Sequence, residues 1–122
     1  MPLFPFIDMK NFILGSKYDL SVALLPSAQM REAMVYKKSK ESDPQALASN
    51  VLAFPLSKSS GEILLCPATA RVQAKNFSMS PNVFVAYLFI HGLLHLKGLI
   101  HGATMEREER RIMIRFDLRA DE

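Results

Sequence analysis

The stretch from Val83 to Ile100 limits the fold more than any other part of the chain. It is almost continuously apolar, broken by His91, His95 and Lys97. Its length approaches that of a membrane span. Two imidazoles and an ammonium in its second half make a span costly, so a helix buried in a globular core is the better reading. Ser80-Pro81-Asn82 opens it. Ser80 is a fair N-cap, and proline suits the first helical position because its missing N–H has no partner there anyway. Gly98 supplies the stop. The spacing predicts a helix from Pro81 to about Lys97.

The remaining sequence must wrap this helix. The chain has 122 residues, enough for one domain, 1–122, with a core that needs no covalent staples. Hydrophobic residues make up 49% and charged residues 22%, as in ordinary soluble domains. Cys66 is the single cysteine, which excludes an internal disulfide. It follows an apolar run and reads as a small buried hydrophobe. The N-terminus lacks the basic start, apolar run and cleavage site of a signal peptide. The expected location is the cytoplasm, without a membrane. A net charge of +3 permits a nucleic-acid partner without requiring one.

Leu20 to Leu25, bounded by Asp19 and Pro26, reads as a strand, and Leu3 to Ile7 suggests another. Ser27 is a candidate N-cap for a helix from Ala28 to about Lys38, with Met30, Ala33 and Met34 on one face. Lys37 to Ala48 is polar, carries Pro44 and reads as a loop. Asn50 to Pro55 and Glu62 to Cys66 read as two strands joined by turn chemistry at Ser57 to Gly61. Pro67 to Phe77 suits a short helix exposing Arg71 and Lys75. A last, charged helix covers Met105 to about Phe116, with Ile112, Met113 and Phe116 on one side. The order predicts an α+β (mixed α/β) domain, a single small sheet with flanking helices.

All three histidines lie between positions 91 and 101. His91 and His95 are one helical turn apart, so both rings project from one face and can share an ion. After Gly98 the chain can turn back to bring His101 to the same point. Three nitrogen ligands leave a fourth position open, as catalytic zinc sites do. A lone histidine on an apolar helix is more often a hydrogen-bonded core residue, but three in this spacing favour metal: zinc first, with nickel or another transition metal as alternatives. The His-Glu-x-x-His pattern of zinc proteases has its general base beside the first histidine. Here that position is Gly92, which argues against a peptidase.

The run His91-Gly-Leu-Leu-His95-Leu-Lys-Gly98-Leu-Ile-His101 resembles the signature of the YbeY family, His-Gly-x-Leu-His-Leu-x-Gly-Tyr-Asp-His. Asn50-Val-Leu-Ala-Phe-Pro55 is similar to that family's Asp-Val-Leu-Ser-Phe-Pro. Gly61 to Cys66 is similar to the strand that follows it, Leu20 to Lys37 to a strand and helix ending in Tyr-Arg, and Met105 to Met113 to the closing helix. The resemblance implies one zinc ion per chain on His91, His95 and His101. It implies an endoribonuclease acting on single-stranded RNA in small-subunit ribosomal RNA maturation and ribosome quality control. The small ribosomal subunit is then the partner, and no DNA is expected.

Five positions depart from the pattern. Leu99-Ile100 stands for Tyr-Asp, Lys37 for the arginine after the tyrosine, Asn50 for aspartate and Ala53 for serine. Lys37 is the residue expected to steady phosphate in catalysis, beside the three histidines, with Lys38 and Arg71 as further cations. Lysine does so as a point charge, without arginine's fork. The nucleophile is either water activated by the metal or the substrate's own ribose hydroxyl. The departures sustain a competing reading, a metal-containing ribosome assembly factor that binds without cleaving, and a third, a zinc hydrolase with another substrate. Arg107, Arg111 and Arg115 share a face of the last helix. Interleaved with Glu106, Glu108 and Glu109, they read first as a solvated, ion-paired surface and second as an RNA contact. The N-terminal segment leaves little room for a helix before Leu20.

Overall fold

A computed structural model describes residues 5–40 and 51–118, with side chains to residue 35 in the first segment. The elements run α1 (Phe6–Leu14), β1 (Asp19–Leu24), α2 (Ser27–Lys40), β2 (Val51–Ser57), β3 (Ser60–Leu65), α3 (Pro67–Gln73), a 3-10 turn (Ala74–Phe77), α4 (Pro81–Lys97) and α5 (Ala103–Arg115). The three strands form one mixed sheet in the order β1-β3-β2, with β1 parallel and β2 antiparallel to β3. The α+β architecture expected from the element order is the one observed.

The sheet is covered on both faces because its strands alternate. Val51 and Ala53 of β2 and Ile63 and Leu65 of β3 join the main core with α4. Leu52, partly buried Phe54 and Leu64, and Cys66 face the other way and meet Met30, Ala33 and Met34 of α2. The face read for α2 is therefore the one it buries. Ser27 stands inside the helix as its first residue, one position after where a cap would lie, and its hydroxyl is 3.8 Å from the Cys66 sulfur.

Helix α4 is the centre of the molecule. Phe84, Val85, Ala86, Leu88, Phe89, Ile90, Gly92, Leu93 and Leu94 are all buried, each large side chain contributing about 1.5–3 kcal/mol by leaving water. Its ends are as the sequence predicts. The Ser80 hydroxyl accepts the Val83 N–H at 3.2 Å, and Pro81 opens the helix. No single helix among the described residues is long and apolar enough to cross a membrane. Gly92 lies where α4 meets the sheet: a Cβ there would come within 3.1 Å of both Ile63 and Val51. That position points into the core, so no side chain placed there could reach the histidines.

Two expectations fail at the N-terminus. Phe6 and Ile7 begin a helix, not a strand, and that helix fits in the space judged too short. Met9 and Ile13, one turn apart, are its buried face, and Lys10 donates to the carbonyls of Gly15, Ser16 and Tyr18 at 3.1–3.3 Å, tying off the turn into β1. Helix α2 continues to Lys40 through residues read as loop; the rest of that segment lies outside the described residues. The two sheet edges differ. Strand β2 carries Pro55 and a register shift between Pro55 and Ser57, while β1 pairs regularly along its whole length and leaves Val22 and Leu24 about 40% exposed.

Candidate metal centre

The C-terminal end of α4 is built by its cap. Gly98 adopts φ +109°, a left-handed conformation that costs a side-chain-bearing residue about 1–2 kcal/mol. The Gly98 N–H reaches the His95 carbonyl and the Leu99 N–H the Leu94 carbonyl, each at 3.0 Å. This is the paired closure that ends many helices. It folds the chain back so that His101, on the turn before α5, faces the last two turns of α4.

The three imidazoles converge. Ring centroids are 4.6 Å apart for His91–His95 and His95–His101, and 5.0 Å for His91–His101. One nitrogen from each lies within 4.8 Å of the other two. His91 and His95 are partly buried and His101 is exposed, so the cluster opens to solvent on the His101 side.

The hydrogen bonds on the far side of two rings fix their protons. His95 Nδ1 lies 3.1 Å from the Leu99 carbonyl oxygen, which only accepts. His91 Nδ1 is bonded to a carboxylate oxygen of Glu109. Each neutral ring therefore carries its proton on Nδ1 and presents a bare Nε2. The two Nε2 atoms are 3.1 Å apart. Nitrogens bound at about 2.0–2.1 Å on one tetrahedral ion stand roughly 3.3 Å apart. Two facing lone pairs at that separation suit a shared cation, so these residues fit a transition-metal ion. When bound, such an ion supplies Lewis acidity at the open side.

Glu109, which its charged neighbours in the sequence suggest is solvated, belongs to the site instead. It is 5% exposed, and its second oxygen accepts the Tyr87 hydroxyl at 3.4 Å. Burial, then the charge and hydrogen bond of Glu109, push the Tyr87 phenol up to about 12. A signal was present: Glu109 sits one turn after Met105 and one before Ile112 and Met113, all buried, so a carboxylate interrupts the apolar stripe of α5. Tyr87 and Glu109 also line a cavity of about 420 Å³ between α4 and α5, with Met79, Met113 and Leu118.

The other candidates fall elsewhere. Lys37 lies on α2, but its side chain, like that of Lys38, is outside the described residues, as is Asn50. Arg71 lines a separate cavity with Leu24, Pro81 and Asn82, at the opposite end of α4; about 14 Å of helix separates Asn82 from His91. Arg111 pairs with Glu108 at 2.8 Å, and Arg111 and Arg115 lie over the Phe12 ring, so these two arginines serve the α1–α5 contact. Cys66 is buried. Burial would raise its thiol pKa, but bonds from Thr69 and Ser27 outweigh this and leave it lowered.

This geometry coincides with a family-wide match. A family model described as Endoribonuclease YbeY matches residues 7–117. The chain belongs to the YbeY family. YbeY relatives include the Endoribonuclease YbeY of Sulfurimonas denitrificans, 31% identical over 103 residues, covering 82% of this chain and 73% of that protein. The Neisseria meningitidis serogroup C protein of the same name is 30% identical over 112 residues, covering 79% of this chain and 63% of its own length. That of Caldicellulosiruptor saccharolyticus is 26% identical over 125 residues, covering 89% and 75%. The chain thus spans roughly two thirds to three quarters of these YbeY proteins.

Proposed function

We propose that this chain is a metal-dependent endoribonuclease that cuts single-stranded RNA, with small-subunit ribosomal RNA as substrate and the small ribosomal subunit as its setting in the cytoplasm. The observation that carries this is the convergence of three imidazoles, two with Nε2 atoms 3.1 Å apart, in a chain whose relatives are named endoribonucleases. His91, His95 and His101 hold one ion, zinc by the preference of neutral imidazoles. Glu109 of α5 fixes the His91 ring, and the Leu99 carbonyl of the turn after α4 fixes that of His95. The open side, at His101, admits the phosphodiester. Lys37, at the position of the family's arginine, steadies the anionic phosphorus centre as a point charge.

A second reading is favoured by the turn before His101. Ile100, where the family pattern has aspartate, is 81% exposed, so a carboxylate is replaced by an apolar side chain beside the open face. On that reading the chain keeps metal and RNA affinity in ribosome assembly but does not cleave. Incubating purified protein with single-stranded ribosomal RNA, with and without chelator, separates the two. Cleavage that stops with chelator and with all three histidines changed to alanine supports the nuclease. Metal-loaded protein that binds the RNA and leaves it intact supports the assembly factor. Cleavage surviving the triple substitution rejects the metal mechanism.

A further inference from the structure

Among the described residues Glu109 is the buried charged side chain. A carboxylate out of water is expensive unless its oxygens are bonded, and no lysine or arginine of the described residues forms an ion pair with it. Its partners are His91 Nδ1 and the Tyr87 hydroxyl, one to each oxygen. Tyr87 and His91 are one turn apart on α4, so a single face of that helix grips a single side chain of α5.

Resting on the metal-site reading above, we infer that Glu109 is a positioning residue, held by Tyr87, that locks His91 as the Nδ1–H tautomer and so sets the affinity of the ion. The two inner ligands are held differently. His95 is oriented by a neutral backbone carbonyl, which no side-chain substitution can remove. His91 is oriented by a carboxylate that also places negative charge behind the ring, strengthening its hold on a cation. A cation held by the opposite nitrogen of the ring would be partly compensated by that carboxylate. Tyr87 donates its only proton to the other oxygen of Glu109 at 3.4 Å, a long bond that favours the rotamer facing the ring.

The test is spectroscopic and thermodynamic, and needs no RNA. Long-range nitrogen–proton NMR of the histidine-labelled, metal-free protein reports which nitrogen of His91 is protonated. Competition with a chromophoric chelator reports zinc affinity. The expected results are an Nδ1–H signature in the native protein, lost in Glu109→Ala, with zinc affinity lowered about 10–100-fold. Glu109→Gln, whose amide oxygen can still accept from Nδ1, should retain the tautomer and lose only the charge contribution, falling between the two. Tyr87→Phe should lower affinity less than Glu109→Ala and broaden the His91 signal. An Nε2–H tautomer in the native protein overturns the inference whether or not the variants fold. So does an unchanged tautomer and affinity in Glu109→Gln and Glu109→Ala. A native protein that holds Nδ1–H yet binds no zinc would reject the metal reading and, with it, the assignment of affinity to Glu109.

Discussion

Tyr87 keeps its proton to about pH 12, against 10.0 for a free phenol. The folded state therefore binds more protons than the unfolded chain between those values. The phenol's contribution to stability is complete below pH 10 and is lost as pH rises toward 12. A spectrophotometric titration of phenolate absorbance should show one tyrosine ionising last, and Tyr87→Phe should remove that step. The clustering of the three histidines was legible because one helical turn and a glycine stop set their spacing, and spacing is written in the sequence. Glu109 was not, because a glutamate among arginines looks solvated until the packing of α5 on α4 decides which way it faces. Gly92 gained a reason: it marks where the helix touches the sheet.

At the scale of elements, the turn after α4 both ends the helix and supplies the carbonyl that orients His95. Gly98→Ala is expected to cost about 1 kcal/mol from the left-handed backbone alone, and to weaken metal binding because Leu99 and His101 move with the turn. Urea unfolding and chelator competition on the same variant check both effects. Helix α4 was legible nearly to the residue because N-cap, proline, apolar run and glycine all agree. Helix α1 was not. Its start, Phe-Ile, has strand-like residues, and only Met9 and Ile13 against α4 and the lysine bonds at its C-terminal turn make the helical pairing win over local preference.

For the whole molecule, α4 is both the core and the support of two of the three clustered histidines, so an ion held there would couple its binding to folding. An ion that binds only the folded chain stabilises it by about 2.7 kcal/mol when present at a hundred times its dissociation constant. Zinc should therefore raise the thermal midpoint, chelator should reverse the shift, and His95→Ala should show none; differential scanning fluorimetry reads all three. The α+β plan was legible because strand and helix periods alternate along the chain. The pairing of β1 beside β3 was not, because strand order depends on which apolar faces meet across the crossover.

The unequal edges of the sheet bear on how the protein behaves when concentrated. Strand β2 is closed to another strand by Pro55 and its shifted register. Among the described residues β1 has no neighbour beyond β3 and no proline, lysine or bulge, the devices that usually keep an edge from recruiting other chains. Strand addition at high concentration is therefore expected along β1, beside Val22 and Leu24. Val22→Lys should raise the protein concentration at which static light scattering begins to climb, while Leu56→Lys on β2 should leave that threshold where it is. Shelf life in solution is then governed at one side of the sheet, far in sequence from the histidines.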